Sequence, residues 1–207
     1  MKVHEKHKHK AGKKRQLKIA LFVVSTSRYE ELQNQEETSD KTIPLVEDIL
    51  SKESNISLTF ADIVPDSAEH LKSALNSSLK NQELDAIIFS GGTGLSPKDL
   101  TYETVKPEFE KIIPGFGELF RSLSYEEIGS AAMLSRAIGG KVQSKAVFLL
   151  PGSPNAVKLA LQKLILPELG HMSYIINKKE LWSDSNCYLH IIYVPCFYLF
   201  TLRRRFY

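Results

Sequence analysis

The sequence predicts an α/β fold, with three α/β/α layers around a mainly parallel, doubly wound sheet. Three observations carry that expectation. Short, nearly continuous apolar runs at 17–25, 86–89 and 146–150 read as strands buried on both faces. The segments between them place apolar residues at helical spacing. The runs at 86–89 and 146–150 end abruptly in glycine or proline turns, as strands do where open α/β sheets deliver loops to their carboxyl edge.

Taken in order, residues 1–16 are polar, lysine-rich and carry His4, His7 and His9, which predicts a disordered basic arm. The run 17–25 is the first buried strand. Thr26-Ser27-Arg28-Tyr29 then opens an acidic, glutamine-rich loop to Glu37, long enough for a lid or binding loop, with plain surface slack as the alternative. Ile43, Val46, Ile49 and Leu50 share one face of a helix that Ser39 or Asp40 can cap, with Pro44 tolerated in its first turn. Residues 57–63 alternate as a second strand. Val64-Pro65-Asp66-Ser67 turns that strand into a helix carrying Leu71, Ala74, Leu75 and Leu79. Asp66 is there either a helix cap or a ligand-facing acid at a strand end.

The run 86–89 delivers Ser90-Gly91-Gly92-Thr93-Gly94, with Asp99 beyond it. Glycines after a strand are a tight turn or a cradle of backbone N–H groups for an anion. They match neither the P-loop pattern nor the dinucleotide fingerprint. Asp99 adds an oxygen ligand where a metal bridging carboxylate and phosphate would need one. Two acids, Asp66 and Asp99, each following a strand of one parallel sheet, are expected to converge on a single edge. Residues 103–113 read as a helix ending at Pro114, and Pro114-Gly115-Phe116-Gly117-Glu118 opens another, on which Glu118 and Arg121 can pair. After Gly139-Gly140, the run 146–150 is the last core strand. It feeds Pro151-Gly152-Ser153-Pro154, a second helix entry suited to an anion, and a helix over 155–165 and the run 167–177 close the domain.

Composition narrows the function classes. The 207 residues, 43% hydrophobic, suffice for one core, so a single domain with tails is expected. The formal charge of +3 misleads, because eight Lys or Arg lie within residues 1–18 against Glu5. The remainder carries 19 basic and 23 acidic residues, a net −4. A nucleic-acid partner is therefore not expected. The N-terminus lacks a secretory pattern, which predicts a cytoplasmic location. Cys187 and Cys196 make neither a disulfide framework nor a metal motif. The extension 179–207 holds an aromatic run, 187–200, too short for the ~20 residues of a membrane span. An added strand, an irregular cover for an apolar patch, a membrane-surface anchor and a tail foreign to the domain all remain open for it.

Six ordered motifs carry a resemblance. They are Val24-Ser25-Thr26-Ser27-Arg28, Pro65-Asp66, the glycine loop with Asp99-Leu100-Thr101, Pro114-Gly115-Phe116-Gly117-Glu118 with Arg121, Leu134-Ser135-Arg136-Ala137, and Leu150-Pro151-Gly152-Ser153-Pro154. With them, residues 19–177 resemble the molybdenum-cofactor biosynthesis proteins of the MoaB/Mog type, the molybdopterin adenylyltransferase family. The resemblance implies a molybdopterin-binding domain over 17–178. It also implies Mg²⁺- and ATP-dependent transfer of AMP onto the terminal phosphate of molybdopterin, with release of pyrophosphate. Asp66 and Asp99 match the family's catalytic acids and are expected to hold Mg²⁺. Gly91, Gly92, Thr93 and Gly94 would cradle phosphate, and Ser135, Arg136 and Ser153 would place the pterin or its phosphate. Ser25, Thr26, Ser27, Lys98, Glu118, Pro151 and Gly152 complete the expected binding set.

The resemblance further implies homotrimers or homohexamers and the pathway's metal-insertion protein as a partner. Two departures stand out: Glu37-Thr38-Ser39-Asp40 replaces the frequent Asp-x-Ser-Gly, and Lys98 stands where an arginine usually precedes the acid. A non-catalytic pterin-binding or scaffold protein, or a competence-damage-type nucleotide pyrophosphatase, are the alternative functions.

Overall fold

A computed structural model describes residues 16–178. The basic arm, save Gln16, and the extension from 179 onward lie outside the described residues. Six strands form one sheet: β1 (Leu17–Val24), β2 (Ile56–Val64), β3 (Ala86–Ser90), β4 (Lys111–Ile113), β5 (Ile138–Val142) and β6 (Lys145–Leu150), in the order β2-β1-β3-β6-β5-β4. β2, β1, β3 and β6 run parallel, while β5 is antiparallel to both β6 and β4.

Alternate residues of the central strands enter opposite cores. Ile19, Leu21 and Val23 pack with Val46, Ile49 and Leu50 of α2 (Thr42–Ser51), with Phe116 and Phe120 of α5 (Pro114–Ile128), and with Val157 of α6 (Pro154–Ala160) and Leu169 of α7 (Leu166–Ile176). Ala20, Phe22 and Val24 pack with Leu71, Ala74, Leu75 and Leu79 of α3 (Ala68–Lys80) and with Val105 of α4 (Thr101–Val105). Both faces are covered, which gives the expected three layers. It also explains why β1, β3 and β6, apart from Lys18, Ser90 and Lys145, are continuously apolar rather than alternating. Each Leu, Ile or Phe withdrawn from water this way contributes about 1.5–3 kcal/mol.

In the strand order, the chain leaving β1 goes outward to β2 and the chain leaving β3 goes the other way, toward β6, so it departs from the carboxyl ends of these two neighbouring strands in opposite directions. That is a topological switch point, where such sheets open a crevice.

Several local expectations are corrected. The expected loop after β1 begins as a helix, α1 (Thr26–Gln33), capped by Ser25, whose Oγ accepts from the Arg28 N–H. It buries no residue, so no apolar stripe announces it. Ser39 does not cap α2. It bonds back to the Glu31 carboxylate through N–H (2.8 Å) and Oγ (3.0 Å), while Asp40 Oδ2 accepts from the Ile43 N–H at 2.7 Å.

Residues 103–113 are not one helix. α4 passes into a 3₁₀ turn, Lys106–Glu108, holding Pro107, and the chain then becomes β4. β5 hides behind Gly139 and Gly140. A Cβ on the first would lie 2.9 Å from the Phe148 ring, and one on the second 2.6 Å from the Phe109 ring. The closing run 167–177 is helical too and continues the helix before it through a π segment, Leu161–Ile165, that lets Pro167 enter without breaking the helix.

Candidate functional site

The glycine loop leaves β3 with two left-handed residues, Gly91 (φ +115°) and Gly92 (φ +62°). A Cβ on Gly91 would lie 2.2 Å from the Val24 carbonyl oxygen, so only glycine lets the loop cross the end of β1. One expectation is corrected here. The Gly91 N–H donates to the Leu150 carbonyl at 3.0 Å and is not available to an anion. The Thr93 hydroxyl donates to the same carbonyl (3.4 Å), and the Ser90 hydroxyl donates to that of Pro151 (3.2 Å). Gly152 packs on Gly91, so the turns after β3 and β6 form one surface. Among the described residues, the N–H groups of Gly92, Thr93, Gly94 and Leu95 have no acceptor.

Both acids stand on this loop. Ser67 caps α3, its Oγ accepting from the His70 N–H, which leaves the Asp66 carboxylate to other partners. The Asp66 N–H donates to Thr26 Oγ1 (3.2 Å), and Oδ1 accepts from the Leu100 N–H (3.0 Å). Oδ2 turns to Gly92: a Cβ there would lie 2.3 Å from Asp66 Oδ2 and 2.3 Å from Thr101 Oγ1. The Thr101 side chain is buried, and among the described residues its hydroxyl has no hydrogen-bond partner. Asp99 closes a turn in which its N–H donates to the Ser96 carbonyl and its Oδ2 accepts from the Ser96 N–H at 3.1 Å. A Cβ on Gly94 would lie 2.7 Å from that same Oδ2.

Burial raises the Asp66 carboxyl above the usual carboxylate range. The Leu100 N–H opposes the rise, and the charges of Asp99 and Glu103 add to it. The acids therefore share an edge, as expected. Asp66 does not act as the helix cap.

Arg136 was not expected to be a partner of the loop itself. Its Nε donates to the Thr93 carbonyl (2.8 Å) and its Nη2 to that of Gly94 (2.6 Å). Nη1 and Nη2 also grip the Glu103 carboxylate. The guanidinium lies 4.6 Å from the centroid of the Tyr102 ring. The hydrogen bond from Arg136 holds the Glu103 carboxyl below its ordinary range. No local pattern signals this cluster, whose members lie far apart in sequence.

The remaining expected residues spread around this centre. Ser25 and Ser153 cap α1 and α6, with Ser25 Oγ 3.3 Å from Ser27 Oγ. Lys98 is exposed beside Asp99. Glu118, Ser135 and Arg136 line a groove of about 390 Å³ together with Arg121 and Tyr102. Arg121 donates to the carbonyls of Ser135 and Ala137, both at 3.4 Å, in place of the expected pair with Glu118. Among the described residues, no hydrogen bond joins Ser25, Glu118 or Ser135 to either acid. A cavity of about 440 Å³ beside the outer edge of β2 holds none of these residues.

Among the described residues, no cluster of three or more His, Cys, Asp or Glu could hold a metal. Two carboxylates and an unpartnered hydroxyl are nonetheless the hard oxygen donors that suit Mg²⁺, which takes few protein ligands and completes its shell with water and phosphate.

Residues 20–171 match the family model described as a probable molybdopterin binding domain. The molybdenum cofactor biosynthesis protein B of Bacillus cereus is 42% identical over 172 residues, spanning 83% of this chain and 97% of the relative. A crystal structure of a molybdenum cofactor biosynthesis protein B superposes with a TM-score of 0.71 at 41% identity, over 80% of this chain and 98% of that one. The tungsten cofactor synthesizing protein MoaB from Pyrococcus furiosus does so at 0.64 and 37%, over 77% and 96%. With the sheet order, the glycine loop and this likeness in agreement, the chain belongs to the molybdenum cofactor biosynthesis protein B family, of the MoaB/Mog type.

Proposed function

We propose that this chain acts in molybdenum or tungsten cofactor biosynthesis by binding molybdopterin and adenylylating it with Mg²⁺-ATP. One observation carries the reading: Asp66 and Asp99 lie against a single glycine loop on which, among the described residues, the N–H groups of Gly92, Thr93, Gly94 and Leu95 lack acceptors. An oxygen of the pterin phosphate forms a bond to the α-phosphorus of ATP, the α–β bridging P–O bond breaks, and pyrophosphate leaves. Like charges must be brought together for this, so donors already fixed in place are worth more than mobile water.

Asp66, Asp99 and the Thr101 hydroxyl would hold Mg²⁺, which when bound offsets the phosphate charges and the charge developing on pyrophosphate. The N–H groups of Thr93 and Gly94 take phosphate oxygens. Ser153, on the turn packed against Gly91, donates its hydroxyl to the same anion. The groove beside Glu118 and Ser135 receives the pterin. A homotrimer or homohexamer is the proposed assembly, checked by sedimentation against the 23.4 kDa monomer. The pathway's metal-insertion protein is the proposed partner.

Purified protein incubated with molybdopterin, ATP and Mg²⁺ should release pyrophosphate in step with adenylyl-molybdopterin. Pterin binding without pyrophosphate release would assign the chain to the non-catalytic binders. Pyrophosphate release without pterin would assign it to the pyrophosphatases.

A further inference from the structure

Beyond Gly91, whose N–H is bonded to Leu150, the glycine loop is held by its carbonyls. The Gly92 carbonyl accepts from the Thr101 N–H at 2.9 Å, that of Thr93 from Arg136 Nε at 2.8 Å, and that of Gly94 from Arg136 Nη2 at 2.6 Å. The donors form one scaffold, because Thr101 and Glu103 both belong to α4 and Glu103 grips Arg136. The loop's peptides are trans. In a planar trans peptide the carbonyl of one residue and the N–H of the next point in opposite directions. Fixing these consecutive carbonyls on α4 and Arg136 therefore aims the N–H groups of Thr93, Gly94 and Leu95 away from that scaffold. None of them has an acceptor among the described residues.

We infer that Arg136 is a positioning residue: it presets the anion-facing N–H groups by holding the loop's carbonyls, and does not itself contact phosphate. The inference rests on the proposed phosphate-binding role of the loop and names what organises it. Only a planar fork can do this. A guanidinium spans adjacent carbonyls and a carboxylate at once, whereas an ammonium is a point charge on a flexible stem. The Tyr102 ring beneath the guanidinium and the Glu103 carboxylate keep the fork in register.

The test uses the full chain, ¹⁵N-labelled, as wild type, Arg136→Lys and Glu103→Gln, titrated with Mg²⁺-ATP. In the wild type, the amide resonances of Thr93, Gly94 and Leu95 should move on binding. Arg136→Lys should weaken Mg²⁺-ATP binding by about tenfold or more and leave those amides nearly unmoved. Glu103→Gln, which keeps the shape but loses the charge, should weaken binding about threefold. A purely stabilising role would lower the melting temperature and leave the Kd of the folded protein unchanged. Arg136→Lys with the wild-type Kd and wild-type amide shifts would overturn the positioning role alone. A wild type that binds no Mg²⁺-ATP would overturn the phosphate-binding reading along with it.

Discussion

The two ends of the sheet use similar residue types to opposite effect. At the amino end, Asp85 and Lys145 are 2% and 1% exposed. The Asp85 carboxylate accepts from the Lys18 N–H and the Ser173 hydroxyl, and the Lys145 ammonium donates to the carbonyls of Asn81 and Leu84. At the carboxyl end, Asp66 and Asp99 each accept one backbone N–H and, among the described residues, keep an oxygen free of hydrogen bonds, next to N–H groups without acceptors. Buried polar groups whose bonds are made hold strands together. Polar groups left open at a crevice are available to a ligand, at some cost to the fold. The difference lies in which hydrogen bonds are made and which are left open, not in residue type.

Substitutions at the two ends should therefore give opposite phenotypes. The largest effect is expected for Asp99→Asn, which keeps size and removes charge. Pyrophosphate release should fall by about 100-fold or more, with a nearly unchanged thermal melt. Asp85→Ala should do the reverse, costing about 3 kcal/mol in urea denaturation by leaving a buried amide and hydroxyl without their charged acceptor. Its folded fraction should turn over at the wild-type rate. An Asp85 variant that folds normally but is inactive would erase the distinction.

Gly92→Ala tests the cradle directly. The new methyl group would meet Asp66 Oδ2 and Thr101 Oγ1 at a positive φ, so about 2 kcal/mol of strain is expected. Calorimetry should show weakened Mg²⁺-ATP binding.

The smallest effect is the most diagnostic. Burial first, and then the charges of Asp99 and Glu103, raise the Asp66 carboxyl in the folded chain. A group raised on folding contributes its full stability below the unfolded value and loses it as pH rises through the folded value. Asp66→Asn should therefore raise Tm by about a degree at neutral pH and leave it unchanged in strong acid. In the wild type, Mg²⁺ affinity should fall on acidification at a higher pH than for an ordinary carboxylate. NMR titration of Asp66 in the Asp99→Asn background should shift to lower pH, because a neighbouring negative charge has gone.

What the sequence determined by itself is whatever a short stretch encodes. β1, β3 and β6 are legible because strands buried on both faces need an unbroken apolar run. The acids and the glycine loop are legible because turns require particular residues at fixed offsets. α1 is not, since it buries nothing and depends on its Ser25 cap and on the bond from Asp66 to Thr26. β5 is not, since its glycines answer to the rings of Phe148 and Phe109.

Only the tertiary structure decided that the Gly91 N–H belongs to Leu150, and that Arg136, 33 residues beyond Glu103, holds the loop by its carbonyls. Every peptide offers the same donor and acceptor. Which of them is taken, and which is left facing the crevice, depends on partners that only the folded chain brings within reach.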